Sequence, residues 1–275
     1  MTTATDNGLG VLDGGQLRLL RALDAVFQRL AEGWQAPEFR FPFLIRCEDL
    51  DRFDYFDNFP QLGLAATRLD PPRLGKLLTE AERPIDRVPP EIMETTAFAL
   101  PSAACYAIYV NLAGRTLPDA GLLRTTVATC FRNEDHYDGL QRLLGFSMRE
   151  IVFIGPEDGA KQHLLNAKDA VLTLCAGLGL DVQIEVATDP FFDKNSSKAK
   201  MQRLFPVKEE FVVDGLAIGS VNYHRNFFGE RCAIQAGDDT AHTSCLAFGL
   251  ERWVHTLTRH FGDTAAALSA VESLG

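Results

Sequence analysis

The sequence predicts an α+β fold built on a mostly antiparallel sheet, and three observations carry that prediction. Two strand-like runs, 125–134 and 147–155, flank the polar stretch 135–145 and read as a long-looped antiparallel hairpin. Helical periodicity appears near both ends of the chain and directly after the hairpin. No internal repeat, low-complexity tract or Gly/Ser linker divides the 275 residues, so a single domain spanning 1–275 is expected.

The elements follow in order. Residues 15–34 place Leu20, Leu23, Phe27 and Leu30 on one helical face. Residues 39–64 are punctuated by Phe and Pro and read as strands and tight turns, and 71–83 read as a short helix. Pro156 followed by Glu157 and Asp158 marks a helix start, because acidic groups suit the positive end of the helix dipole. Leu164, Ala167, Val171 and Leu174 continue that helix, and Gly177 and Gly179 end it. Residues 181–188 alternate through Val182, Ile184 and Val186 as a half-buried strand. Residues 209–223 supply one or two more, turning at Asp214-Gly215. The last helix is expected over 243–260, which would put Cys245 and Arg252 on one face.

Composition excludes several classes. With 46% apolar and 23% charged residues, the chain is an ordinary globular protein long enough to bury a large core. The longest uncharged run, 95–114, is interrupted by Pro101, Ser102 and Asn111, so no membrane-spanning helix is expected. The N-terminus lacks the basic start and apolar stretch of a signal peptide. Six cysteines without a CxxC pair read as reduced thiols, and a cytoplasmic protein is expected. A net charge of −10 argues against a general nucleic-acid binder. One basic stretch, 193–208, carries Lys194, Lys198, Lys200, Arg203 and Lys208. It reads equally as a solvated helix face or as a docking patch for an acidic partner.

The chemistry concentrates in Cys130-Phe-Arg-Asn-Glu134, Arg142 and Phe146-Ser-Met-Arg-Glu150. Taken alone, Arg132 and Glu134 on one strand face read either as a phosphate-and-base clamp or as a surface ion pair. The whole string resembles motif 2 of the class II aminoacyl-tRNA synthetases, especially the seryl and threonyl branch. Gly249-Leu-Glu-Arg252 resembles motif 3 of the same class. The resemblance implies a six- or seven-stranded antiparallel sheet flanked by helices, usually dimeric. It implies that Arg132 holds the α-phosphate of ATP, Glu134 the adenine amino group, and that Phe146 stacks on the adenine. Arg252 would cover the other side and reach the γ-phosphate, with Arg142 in the same ATP-binding set. Fixed cations of this kind stabilise charge developing at the α-phosphorus.

No basic arm or appended domain of the kind that reads tRNA is visible, and that narrows the resemblance to the amino acid:[carrier protein] ligases. These are truncated homologues of the atypical zinc-dependent seryl-tRNA synthetases. The likeness extends through Tyr55-Phe56, Phe59-Pro60 and Leu100-Pro-Ser-Ala-Ala-Cys105-Tyr. It implies an aminoacyl-adenylate formed with ATP and Mg2+, then transfer to the phosphopantetheine thiol of a small acidic carrier protein, with no tRNA involved. Glycine or alanine is the favoured amino acid. It also implies Zn2+ on Cys105, Glu150 and Cys245, with an open position for the substrate's α-amino group.

Read from the residues alone, Cys105 and Cys245 are buried small hydrophobes, the commonest fate of a free cysteine. Cys130 competes as a ligand because it shares the strand face of Arg132, whereas Cys47, Cys175 and Cys232 read as packing residues. Glu150 and Arg149 lie on opposite strand faces, so only one is expected to point inward. Ser220-Val-Asn222-Tyr-His224 resembles the Ser-Asn strand lining the ATP and metal site in seryl enzymes, which makes Asn222 a site residue. The acidic residue expected just before it is replaced by Leu216, which leaves the holding of magnesium open. His136, His224 and His242 read as loop residues. A minimal seryl-type synthetase, and an idle ATP-binding paralogue, are the competing functions. Intact Arg132, Glu134 and Arg252 speak against the second.

Overall fold

The computed structural model describes residues 7–274; of Lys198, whose side chain lies outside the described set, only the backbone is considered. The elements are α1 (Gly14–Gly33), β1 (Ile45–Arg46), α2 (Cys47–Arg52), α3 (Tyr55–Asn58), β2 (Leu64–Ala66), α4 (Pro71–Glu80), β3 (Phe98–Leu100) and α5 (Tyr106–Asn111). Then come β4 (Thr116–Leu117), β5 (Leu122–Phe131), β6 (Gly145–Gly155), α6 (Glu157–Gly177), β7 (Gln183–Ala187), α7 (Ser197–Leu204), β8 (Lys208–Val213) and β9 (Leu216–Arg225). The chain closes with α8 (Phe227–Cys232), β10 (Gln235–Ala236), β11 (Asp239–Thr240), β12 (His242–Gly249), α9 (Leu250–Phe261) and α10 (Thr264–Glu272).

Six strands form the main sheet in the order β5-β6-β12-β9-β8-β7, every neighbouring pair antiparallel. The predicted hairpin is β5–β6, and β8 turns into β9 at Asp214 and Gly215, whose φ angles of 50° and 78° suit a tight hairpin turn. Period-2 alternation gives the sheet two distinct faces. The back face carries Ile151, Leu246, Phe248 and Phe211 and is covered by α1, α6, α9 and α10. There Phe248 stacks on Phe27 with ring centroids 3.8 Å apart. The front face carries Val152, Ile154 and Cys245 beneath the segment from α2 to α5, together with α8.

Helix α1 starts where Asp13 accepts from the backbone N–H of Gly15 and Gln16, each at 2.9 Å. Its buried stripe is Leu19, Leu23, Phe27 and Ala31, with Leu20 and Leu30 at the margin. The helix after Pro156 runs as predicted to Gly177.

Three expectations are corrected. Residues 39–64 form chiefly short helices, because aromatic side chains such as Phe53 and Tyr55 wrap against α5 and α8 instead of pairing along a sheet. Residues 242–249 are the central strand β12, not the start of a helix. The apolar run there is buried from both sides, and the helical spacing of Ala247 and Leu250 spans the strand–helix junction at Gly249. Cys245 and Arg252 therefore share no helix face. Arg149 and Glu150 do point to opposite faces, but both are buried: Arg149 reaches back to Asp24 and Glu38 while Glu150 enters the front face. The sheet has an interior on each side. No described helix is long and apolar enough to cross a membrane.

Candidate active site

Two adjoining cavities open on the front face. The larger, about 500 Å³, contains Cys105, Glu150, Cys245, Asn222, His224 and Arg132. The smaller, about 90 Å³, contains Arg132, Glu134, Arg142, Phe146, Glu210 and Arg252. Arg132, Met148, Lys208, Ser220 and Ala247 line both, so the two form one continuous site.

Strand β5 ends at Phe131, so Arg132 and Glu134 lie just beyond it and not on it. Pairing nonetheless continues one step, through Arg132 N–H to the Leu144 carbonyl at 2.9 Å. The Arg132 guanidinium donates from Nε and Nη2 to the Ser102 carbonyl at 3.2 and 3.1 Å and lies 5.1 Å from the Phe146 ring centroid. Glu134 is ion-paired with Arg142. Arg252, in the first turn of α9, donates to the carbonyls of Gln141 at 2.7 Å and Ala217 at 2.9 Å. Burial, and then the cations Arg132 and Arg142, pull the Arg252 pKa down. Three guanidinium groups facing one cavity, partly desolvated, form a site for a polyanion such as the phosphates of a nucleotide.

The larger cavity is built by register. Cys245 pairs with Val152 on β6 and with Asn222 on β9, while Glu150 pairs with Ala247. Alternation then puts Asn222, Cys245 and Glu150 on the front face together. Cys105 comes from the turn entering α5. Glu150 Oε1 anchors that turn by accepting from the N–H of Ala104 at 2.8 Å and of Cys105 at 3.2 Å. Its other oxygen, Oε2, is buried without a hydrogen-bond partner. Burial, and then the adjacent Cys245 sulfur, push the Glu150 carboxyl up to about 8. Interaction between the neighbouring thiols raises the pKa of Cys105 and draws that of Cys245 well below its ordinary value.

Among the described residues, no group of three or more His, Cys, Asp or Glu side chains is drawn together closely enough to hold a metal ion. What the fold produces is a convergence of two thiols and a carboxylate with one orphaned oxygen. That donor set fits a catalytic zinc site, which takes three protein ligands and keeps a position open. Cys130, the competing cysteine, is fully buried and lines neither cavity; burial raises its thiol pKa.

Two sequence readings are revised here. His224 is not a loop residue but sits on β9, with Nε2 3.8 Å from Cys245 Sγ. The signal for it was available, since Asn222 and His224 are two apart on a strand. His242 likewise opens β12 and hydrogen-bonds Tyr223 at 2.7 Å, whereas His136 lies in the β5–β6 connection beside Asp135. Lys208 is not part of an outer basic patch: it points into the site, 3.1 Å from Glu210 and 3.5 Å from Asp189. Neither Lys208 nor Glu210 was found as a site residue, because only the pairing of β8 with β9 carries them to Asn222 and Ser220.

No family model matches the chain. It is 32% identical over 254 residues to amino acid–[acyl-carrier-protein] ligase 1 of Bradyrhizobium diazoefficiens, covering 84% of this chain and 73% of that protein. Ligase 2 of the same organism is 34% identical over 250 residues, covering 82% and 70% respectively. The chain belongs to the amino acid–[acyl-carrier-protein] ligase family. Its fold is that of the class II aminoacyl-tRNA synthetases. It superposes on the M. kandleri seryl-tRNA synthetase, solved with A. aeolicus tRNASec, at a TM-score of 0.81 and 19% identity over 97% of this chain. The chain spans 57% of that synthetase. The Cryptosporidium parvum prolyl-tRNA synthetase complexed with halofuginone and AMPPNP matches at 0.68 and 11% identity, with this ligase spanning 50% of it. In this chain Arg132 and Glu134 beyond β5, Phe146 on the returning strand β6, and Gly249 and Arg252 at the start of α9 line one cavity.

Proposed function

We infer that the protein activates the carboxylate of a small amino acid with ATP and passes the aminoacyl group to the phosphopantetheine thiol of an acyl-carrier protein. The observation that carries this reading is the junction of a guanidinium-lined cavity with a cavity holding two thiols and a carboxylate, bridged by Arg132. In the first step a carboxylate oxygen attacks the α-phosphorus and pyrophosphate leaves. Arg132 and Arg252 stabilise the charge gathering on the phosphoryl oxygens. Phe146 and the Glu134–Arg142 pair hold the base, and Mg2+ would supply further charge neutralisation for the phosphates. In the second step the carrier thiol attacks the acyl carbon, a thioester forms, AMP departs and the thiol proton is released.

Cys105, Glu150 and Cys245 would hold a zinc ion, the Lewis acid that takes the α-amino group and so selects amino acids over other carboxylates. The donor set and the unpartnered Glu150 oxygen support that assignment. Glycine or alanine is the proposed substrate. The outer stretch with Lys194, Lys200 and Arg203, beside exposed Leu204 and Phe205, is the proposed docking surface for an acidic carrier. A homodimer is proposed as the working form, without tRNA.

The test is amino-acid-dependent ATP–pyrophosphate exchange by zinc-loaded protein over a panel of standard and non-proteinogenic amino acids. Exchange with glycine or alanine is expected, and Cys245→Ser should lose both zinc and exchange. No exchange with any amino acid, from protein shown to hold zinc, would overturn the adenylation step.

A further inference from the structure

Cys245 is 2% exposed, and its sulfur faces two side-chain nitrogens. Asn222 Nδ2 lies 3.4 Å from Cys245 Sγ, and His224 Nε2 lies 3.8 Å from the same atom. Both come from β9, the strand paired with β12, so the approach is set by backbone register and not by flexible side chains. Asn222 Nδ2 also touches Ser220 Oγ at 3.2 Å, which holds the amide with its N–H groups toward the sulfur.

The far side of His224 is equally defined. Its Nδ1 meets Thr243 Oγ1 at 3.1 Å and Tyr109 Oη at 3.3 Å. A hydroxyl can donate to or accept from an imidazole nitrogen, and the two hydroxyls converging on Nδ1 fix the orientation of the ring. The opposite ring nitrogen, Nε2, is the one directed at Cys245. The ring itself is wedged edge-on against Phe228, with centroids 5.0 Å apart.

We infer that Asn222 and His224 are positioning residues that hold the Cys245 sulfur in place to ligate zinc, with Thr243 and Tyr109 anchoring the His224 ring. This rests on the zinc reading given above. A thiolate is a large anion whose charge needs donors when water is excluded, and such outer partners commonly set metal affinity. Among the described residues, Cys105 has no comparable pair of side-chain nitrogen donors: its backbone N–H is taken by Glu150. The two thiols are therefore unequal, with Cys245 the preorganised anchor.

The experiment measures zinc affinity by chelator competition and records the spectrum of the cobalt-substituted protein. The variants are His224→Leu, His224→Gln, Asn222→Asp and Cys245→Ser. His224→Leu and Asn222→Asp are expected to weaken zinc binding by about 10- to 100-fold. His224→Gln, which keeps an N–H donor, should remain within a few-fold of wild type, and the cobalt–thiolate absorption should keep its shape throughout. Unchanged affinity in both His224→Leu and Asn222→Asp, with binding lost in Cys245→Ser, would overturn the positioning role while leaving the zinc site standing. A changed cobalt ligand-field spectrum in His224→Gln would make His224 a direct ligand and overturn the inference. Absence of stoichiometric metal in the wild-type protein would overturn the zinc reading and this inference together.

Discussion

Replacing Glu150 by Gln should make the metal-free protein more stable in alkali, the reverse of the usual result of altering a buried residue. The Glu150 carboxyl rises from an ordinary value of 4.5 to about 8, first through burial and then through the neighbouring Cys245. Between those two values the folded state holds a proton that the unfolded state has released. Stability from this group is therefore fully present below the unfolded value and falls as pH rises through the folded one. The slope approaches about 1.4 kcal/mol per pH unit, and the whole span gives an upper limit of roughly 5 kcal/mol. The amide introduced by Glu150→Gln can still accept from Ala104 and Cys105 through its carbonyl oxygen, so the turn entering α5 is preserved. Urea unfolding from pH 5 to 9 in chelator measures the effect. The wild-type midpoint should fall toward high pH and the variant's should not. Adding zinc should reverse the ranking, because a ligand bound only by the folded wild type raises its stability. Parallel pH profiles of the two metal-free proteins would refute a raised Glu150 carboxyl, and no zinc-dependent difference would refute its role as a ligand.

Arg132→Ala and Arg252→Ala should each lower the rate of pyrophosphate exchange by about 10²- to 10³-fold, as for loss of one preorganised donor; retained exchange would remove the residue from the phosphate site. Lys200→Glu with Arg203→Glu should slow aminoacyl transfer to the carrier, steeply so at low salt, while leaving exchange intact. Equal loss of both steps would remove the docking role. Arg149→Met should destabilise the fold by about 1–2 kcal/mol, because it removes the buried cation that Asp24 and Glu38 share while leaving both carboxylates partly open to water. Urea unfolding reads that value, and a change under about 0.5 kcal/mol would show the pair to be dispensable.

The sequence by itself determined the α+β class, the β5–β6 hairpin, helices α1 and α6, and the turn at Asp214-Gly215. These are local signals: a repeat period, a cap and a turn pair act over a few residues and need no distant partner. The same holds for Arg132, Glu134, Phe146 and Arg252, which line one cavity and sit in two compact strings. The stretch 39–64 misled because aromatic content is common to strands and to short helices packed on a core. Residues 242–249 misled because an apolar run buried on both sides has no period to read.

Only the tertiary structure decided what crosses strands. Register brings Asn222 beside Cys245 and Lys208 beside Asn222, and it sends Glu150 forward while Arg149 goes back. It turns His224 from an apparent loop residue into a strand residue whose ring faces the thiol. Pairing between strands is a long-range choice, settled by which faces bury together, and a shift of one residue would exchange every side chain between the two faces of the sheet.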